Sequence, residues 1–520
     1  MASTSEIRRR YLTVTAAAVS ALVLLTAFVL SGPDGTLRFI PLIVVIPVAV
    51  YIMAGSKKKG YDPKRLMNES TTVIGMMAVR IGSGESLESA VRDVAKNGPR
   101  HSSKLFSGIV RNADLRIVPD IRDGMNSSMR EMGKELAPFR RGLQMIVSAS
   151  GSKDRNERKR IVRDAENIAL AGLKEIGESY GSGLNNPCMM IFGLGVMIPM
   201  ILMSIVPMLS IGGLFSASVL STDAVAFITL IAIPGVVAMV VAAVVSTNPF
   251  IEKHMRNDEF VYALPLIASI PVFLVLYLAG TDALQAVLMS AVTLGLLSFA
   301  LTCPRIVMEK KRIKTETMLN DLLFELGNRL LAGENFETAV VRALESGKEG
   351  KLSSAVGRAM MMSRGDIAGA LRSCISPYSA GTTDAYVKIY EASVKDTREA
   401  GRLAVSIGHQ VQDQMTIKKG IGNKLKGMTD MMTATAVIFA PLIMGLSIVL
   451  LKPLSAISGA AGHGDVSVIL AVYLIELALL IAVLTAYLGN RGGILNVTYR
   501  FGMMMPCALV MFTIFSGLSM

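Results

Sequence analysis

Residues 80–91 read R-I-G-S-G-E-S-L-E-S-A-V, and residues 329–340 read R-L-L-A-G-E-N-F-E-T-A-V. Arg80, Gly84, Glu85, Glu88, Ala90 and Val91 recur in order as Arg329, Gly333, Glu334, Glu337, Ala339 and Val340. In each copy an apolar helix is expected to end at the glycine, because glycine enters the left-handed region that closes a helix at little cost. Ser86 and Asn335 then stand where an N-cap belongs, and Glu88 and Glu337 fall in the first turn, facing the positive end of the helix dipole. Leu87, Ala90, Val91 and Val94 follow at the spacing of an apolar stripe, as do Phe336, Ala339, Val340 and Ala343. The motif reads as a helix–turn–helix hinge in a bundle. Glu85 and Glu334 are expected to serve that hinge rather than a partner.

The likeness extends beyond the hinge. Lys153-Asp154, Glu157 and Arg160 recur as Lys395-Asp396, Glu399 and Arg402, and Met189-Met190 and Pro199 recur as Met431-Met432 and Pro441. Gly84 and Gly333 are 249 positions apart, and Lys153 and Lys395 are 242 apart. Three matches in the same order, with so little drift, point to an internal duplication.

The 520 residues are 52% hydrophobic and only 18% charged, with a mean hydropathy of +0.50. A soluble domain has no means of hiding that much apolar surface. Nine apolar segments approach the roughly 20 residues that a bilayer requires. They lie near 11–31, 37–55, 188–210, 224–246, 259–280, 283–303, 431–451, 466–488 and 499–519. Arg8-Arg9-Arg10 precede the first, whose length and lack of a small-residue cleavage site read as an uncleaved span rather than a signal peptide. Lysine and arginine gather after the second and sixth spans, while the loops at 32–36, 211–223, 281–282 and 452–465 hold almost none beyond Lys452. This bias predicts a plasma-membrane protein with a cytoplasmic N-terminus, both polar blocks inside and the C-terminus outside.

The expected fold class is all-α: a polytopic membrane protein with about nine transmembrane helices and two duplicated cytoplasmic helical-bundle domains. The expected organisation is an N-terminal membrane hairpin (1–55), a first helical domain (56–187), four central spans (188–303), a second helical domain (304–430) and three C-terminal spans (431–520). An even number of spans separates the copies, so they are parallel repeats related by an axis along the membrane normal.

The net charge of +13 reflects the cytoplasmic basic excess, since the basic stretches are interleaved with acids and poor in aromatics. A nucleic-acid partner is not expected. Cys188, Cys303, Cys374 and Cys507 are scattered, as are the four histidines, so neither a zinc site nor a disulfide framework is expected. Met360-Met361-Met362 reads as packing or lipid contact rather than a metal track. There is no GxxxxGK[ST] phosphate loop and no HExxH pair, and no nucleophile elbow is read. No catalytic, cofactor-binding or metal-binding residue is expected, and the chain is not expected to be an enzyme. Glu476 is the exception among the spans, where a charge costs on the order of 3 kcal/mol. Two readings stay open: contact with a polar group of a neighbouring or transiting helix, or a carboxyl bonded within the bundle.

Two polar helical blocks, each opened by a G-E-x-[LF]-E-x-A-V hinge and followed by a proline-bearing span, resemble the type II secretion system F-domain family. These are the platform proteins of type IV filament machines. The resemblance covers about 70–210 and 320–451. Bacterial members are shorter, and the longer form here is similar to the platforms of the archaeal type IV pilus and archaellum. The resemblance implies a non-enzymatic membrane scaffold without cofactors. Its implied partners are a hexameric secretion ATPase and pilin-like or archaellin-like subunits, and a homodimer would suit the family.

Lys153, Arg155, Arg158, Lys159, Arg160 and Arg163, with Lys395, Arg398 and Arg402, are the residues expected to meet acidic surface on the ATPase. A solvated face is the competing reading for the first group. For Lys418, Lys419, Lys424 and Lys426 the competing reading is attraction to anionic headgroups. Two other functions compete: a secondary transporter with parallel repeats, and a membrane signalling scaffold.

Overall fold

The computed structural model describes residues 63–202, 226, 228–248, 250, 282–347, 350–458, 463–489 and 493–517. These residues are 90% helical and contain no strand. They divide into two compact units. One contains both polar blocks, Tyr61–Glu178 and Arg305–Ile421; the other draws on Ser179–Pro304 and Gly422–Met520.

In the polar unit the first block is built from α1 (Pro63–Gly82), α2 (Leu87–Asn97), α3 (Arg100–Asp114), α4 (Ile121–Glu131), α5 (Ala137–Gly151) and α6 (Arg155–Gly183). Its core gathers Met67, Ile74, Met77, Ile81, Phe106, Phe139 and Ile146 with the stripe residues Ala90, Val91 and Val94. After α7 (Asn185–Phe192) and α8 (Ile233–Thr247) of the other unit, helix α9 (Ala283–Leu331) runs unbroken through Pro304 and supplies the start of the second block. The block continues with α10 (Phe336–Ser346), α11 (Gly350–Met362), α12 (Ile367–Ile375), α13 (Ala380–Ser393) and α14 (Thr397–Ala434). Leu319, Leu323, Leu326, Leu330, Phe336, Val340, Tyr386 and Ile389 form a second, separate core. The polar unit therefore has two cores. Polar contacts join them, including Arg155 to Glu399 at 2.9 Å and Lys388 to Asp93 at 3.5 Å.

Both hinge glycines adopt positive φ, 94° at Gly84 and 91° at Gly333. The hydrogen bonds around them match. Gly84 N–H donates to the Ile81 carbonyl and Glu85 N–H to that of Arg80, while Gly333 N–H donates to Leu330 and Glu334 N–H to Arg329. These paired bonds satisfy carbonyls that the helix end would otherwise leave bare. The following caps differ. Ser86 accepts from Ser89 N–H at 3.2 Å, whereas Asn335 makes no side-chain cap bond.

Among the described residues six helical stretches are long and apolar enough to cross a membrane. They lie within Arg155–Leu202, Ile228–Thr247, Leu284–Leu331, Thr397–Val449, Val466–Leu488 and Ile494–Gly517. Six of the nine expected spans coincide with these; those near 11–31, 37–55 and 259–280 lie outside the described residues.

Three of the six contain a widened π turn, at Gly193–Met197, Ile228–Ala232 and Thr435–Phe439. Each begins six residues before a proline: Pro199, Pro234 and Pro441. A proline ring clashes with the carbonyl four residues back and offers it no N–H. A wider turn moves that carbonyl away, which accounts for the shared spacing. Pro304 and Pro506 lie in helices without such a turn.

Behind Pro199 the freed carbonyl belongs to Gly195, and the Tyr473 hydroxyl donates to it. Tyr473 stands on α16 (His463–Leu488), which follows α15 (Ala440–Ser458) and is the most enclosed of the six stretches. Elsewhere in this unit α9 meets α17 (Ile494–Gly517) backbone to backbone. A Cβ on Gly502 would stand 2.8 Å from the Gly295 carbonyl oxygen and 2.7 Å from the Phe299 nitrogen. Small residues permit such close crossings between apolar helices.

Gly84→Ala and Gly333→Ala should each destabilise the protein by about 1–2 kcal/mol, because an L-residue resists the left-handed conformation. Gly82→Ala, at a helical position with open space around it, should leave stability unchanged or raise it. Thermal unfolding of the detergent-solubilised protein, followed by far-UV circular dichroism, separates the two outcomes.

Candidate partner-binding end of the polar unit

The starts of α6 and α14 lie side by side. Each follows a short turn and is capped by the aspartate of its Lys-Asp pair. Asp154 accepts from Asn156 N–H at 3.0 Å, and Asp396 accepts from Arg398 N–H at 2.9 Å. The two helices stay together further along, where Gly177 leaves room for Ile421. Pairs that face each other differ by about the repeat offset, 244 positions for Arg155 and Glu399. The helices are therefore parallel and nearly in register.

This arrangement gathers the basic residues singled out in the sequence. Lys153, Arg155, Lys159, Arg160 and Arg163 are exposed along the start of α6, and Lys395, Arg398 and Arg402 are exposed along the start of α14. Arg158 differs. It is half-buried, its guanidinium stands 3.5 Å from where a Cβ on Gly84 would lie, and its Nε is buried without a partner among the described residues. Arg158 thus covers the first glycine turn. The second turn is placed alike: Gly401 packs against Gly327 and Leu331 of α9. Both hinges and both basic helix starts share one end of the unit.

The hinge acids are engaged within the fold. Glu85 pairs with Arg80 at 3.0 Å and accepts from the Ser89 hydroxyl at 2.6 Å. Glu334 lies 3.6 Å from Arg329 and 3.2 Å from Arg342. The same Arg–Glu pair thus bridges both turns. Glu88 pairs with Arg92 at 3.0 Å, and Glu337 is exposed in the first turn of α10. Lys418, Lys419, Lys424 and Lys426 are exposed along α14.

Two acids that the sequence did not single out lie where the blocks meet. Asp93 is buried on α2 and takes hydrogen bonds from Asn97 at 2.7 Å and Arg80 Nε at 3.1 Å, with Lys388 of the other block at 3.5 Å. Burial acts to raise its pKa, but Asn97, Lys388 and Arg80 outweigh it and hold the carboxyl below the usual aspartate range. Glu166 on α6 has weaker compensation. Burial pushes its pKa up to about 7, Arg163 opposes the rise, and Asp413 of α14 adds to it. Neither acid has a sequence signature, since each depends on what the opposite block brings.

In the apolar unit Glu476 sits on α16 at 2% exposure, and both its carboxylate oxygens lack a hydrogen-bond partner among the described residues. Tyr473, one turn earlier, is committed to the Gly195 carbonyl. Among the described residues no group of three or more His, Cys, Asp or Glu side chains is placed to hold a metal. The run G-E-S-Y-G at 177–181 has the spacing of a nucleophile elbow. It lies within the continuous helix α6, with no strand before it, so Ser179 is not lifted on a strained turn.

Glu166→Gln tests the burial of the Glu166 carboxyl, to which Asp413 adds a smaller repulsion. A carboxyl whose pKa rises from about 4.5 to about 7 on folding stabilises the folded state fully below 4.5 and loses that contribution as pH climbs through 7. The glutamine variant should exceed the wild type in stability at pH 8, by on the order of 1–3 kcal/mol. The gap should narrow toward pH 5 and close below pH 4.5. A gap that stays the same at both pH values in thermal unfolding would speak against the assignment.

Comparison with family models, with curated proteins and with solved structures finds no match to this chain.

Proposed function

We propose that this protein is the membrane platform of a type IV filament or secretion machine. In this reading it couples a cytoplasmic hexameric ATPase to the insertion of pilin-like subunits into a filament. The observation that carries the proposal is the end of the polar unit where two glycine hinges and two basic helix starts converge. Such a surface suits a large acidic protein partner, because charges of one sign steer and orient association.

The duplication belongs to the same proposal, and the helices support it in order. Helices α2 and α10 have the same length and lie 249 positions apart. Helices α6 and α14 start 242 positions apart, and so do the π turns at Gly193 and Thr435. The finer topology is likewise proposed: nine spans, a cytoplasmic N-terminus, an external C-terminus and a place in the plasma membrane. The protein acts as a scaffold without chemistry of its own. The described apolar helices carry three widened turns, which are natural points of give when pilin-like helices are moved past them.

Glu476 is the observation that favours the competing transporter reading, since a solitary acid within a span often marks a path. Solute uptake by vesicles holding only this protein would support that reading over the platform.

Replacing Lys159, Arg160 and Arg163 together by glutamate should abolish co-purification with the cognate secretion ATPase and leave membrane insertion intact. Arg158 is kept as it is, because it covers the Gly84 turn. Co-purification at the wild-type level would remove the basic helix start from the interface.

A further inference from the structure

Among the described residues, two that are not glycine have positive φ: Arg116 at 55° and Arg364 at 50°. An L-residue is strained there, and such strain persists where the surrounding structure enforces it. The two arginines lie 248 positions apart, between the 249 of the glycine hinges and the 242 of the Lys-Asp pairs. Each follows the helix after the hinge helix, α3 or α11. Each precedes an aspartate that caps the next helix: Asp120 accepts from Asp123 N–H and Asp366 from Gly369 N–H, both at 2.8 Å.

The local geometry differs while the outcome agrees. Arg116 closes α3 in the manner of the hinge glycines, with its own N–H donating to the Ala113 carbonyl and Ile117 N–H to that of Asn112. Arg364 shares a two-residue turn with Gly365, closed by a 3.1 Å bond from Asp366 N–H to the Ser363 carbonyl.

Each strained arginine is accompanied by bare apolar side chains. Leu115 is 64% exposed and Ile117 68%; Met361 is 87% exposed and Met362 81%. At Ile117 a side chain would ordinarily fold back onto its helix, and it does not. Met360, next in the run, packs against the core of its block.

The tips also share the basic end of the unit. Arg122, at the start of α4, reaches the Ser150 hydroxyl at 3.4 Å, just before Lys153. Helix α11 starts four residues after α10 ends, and its Ser353 hydroxyl donates to the Val341 carbonyl at 3.2 Å, so the short connection turns α11 back along α10 and carries Met362 toward the Phe336 end. Phe336 packs against Tyr390, 5.3 Å between ring centroids with the rings tilted by 55°, near the turn that leads to Lys395.

We infer that the two tips are paired anchors for one protein partner: an acidic face of a homo-oligomer that offers an apolar pocket to each tip. The basic residues around the tips supply the charge complementarity, and methionine and isoleucine supply the desolvated contacts. Two bare side chains per tip, without an amphipathic helix, suit pockets better than a bilayer surface. The proposal rests on the platform reading for the partner's identity, the secretion ATPase, and adds which residues dock and that they do so twice.

The test uses the full chain in nanodiscs and the purified cognate ATPase as probe, with binding followed by interferometry. Ile117→Ser with Arg116→Gly removes one tip; Met362→Ser with Arg364→Gly removes the other. Each loss should weaken binding by on the order of tenfold to a hundredfold, because the remaining tip loses its tethered partner, and losing both should abolish binding. The glycine changes relieve strain, so the thermal midpoint should hold or rise and lost binding is not lost fold. Tip variants that bind like the wild type would overturn the proposal and leave the platform reading standing. A wild-type chain that does not bind the ATPase would overturn both. Tip-dependent binding to phosphatidylglycerol vesicles in place of the ATPase would name the membrane as occupant and overturn the protein anchor.

Discussion

Two parallel helices set side by side bring like dipole ends together, and the polar unit is arranged around that conflict. Helices α6 and α14 start at the same end, so two positive poles and most of the nearby lysines and arginines gather there. Asp154 and Asp396 answer the poles by capping them, and Glu399 answers Arg155 across the seam. What stays unanswered is the outward basic face of α6. An isolated fold gains nothing from that residue of charge, whereas a partner of opposite sign does.

The apolar helices face a different constraint. Away from water a carbonyl without a donor is expensive, so a proline within such a helix needs a remedy. Three prolines share one, a widened turn beginning six residues upstream, and behind Pro199 the Tyr473 hydroxyl completes it. That bond ties α16 to the turn at Gly193–Met197. Gly195 has no side chain to obstruct the approach: a Cβ there would stand 3.0 Å from Leu477. Glu476 lies on the same enclosed helix with no such engagement among the described residues.

The sequence announces what depends on one residue and its near neighbours. Glycine has a conformational meaning of its own, so the left-handed turns at Gly84 and Gly333 were readable, as were the apolar stripes behind them and six of the long apolar stretches. Asn335 stood in the cap position just as Ser86 did, yet only Ser86 bonds there, a difference of side-chain placement that spacing does not encode. Arg158 read as one of a basic series and instead covers a glycine turn, because helical phase rather than charge decides which side faces inward. The left-handed arginines were silent, since nothing about arginine announces positive φ. Asp93 and Glu166 were silent too, for each is completed by a residue of the other block, Lys388 at a separation of 295 positions and Asp413 at 247.

If the blocks are copies, their differences are as informative as their likeness. A strict two-fold pairing of α6 with α14 would carry two equivalent salt bridges, Arg155 to Glu399 and its mate. The mate would need a basic residue at 397 opposite Glu157, but 397 is a threonine. One bridge therefore stands where symmetry would place two. The arrangement is uneven in charge as well, since α6 keeps Arg158, Lys159 and Arg163 where α14 has Ala400, Gly401 and Val405. Gly401 and its neighbour Ala400 let α14 press closely on α9, an approach that long basic side chains would prevent. The two starts thus meet their hinges differently: α14 does so with small residues, and α6 with Arg158 while Lys159 and Arg163 stay outward. Each block thus keeps a tip while α6 carries the denser basic face, so in the proposed reading a partner at this end meets it in a single orientation.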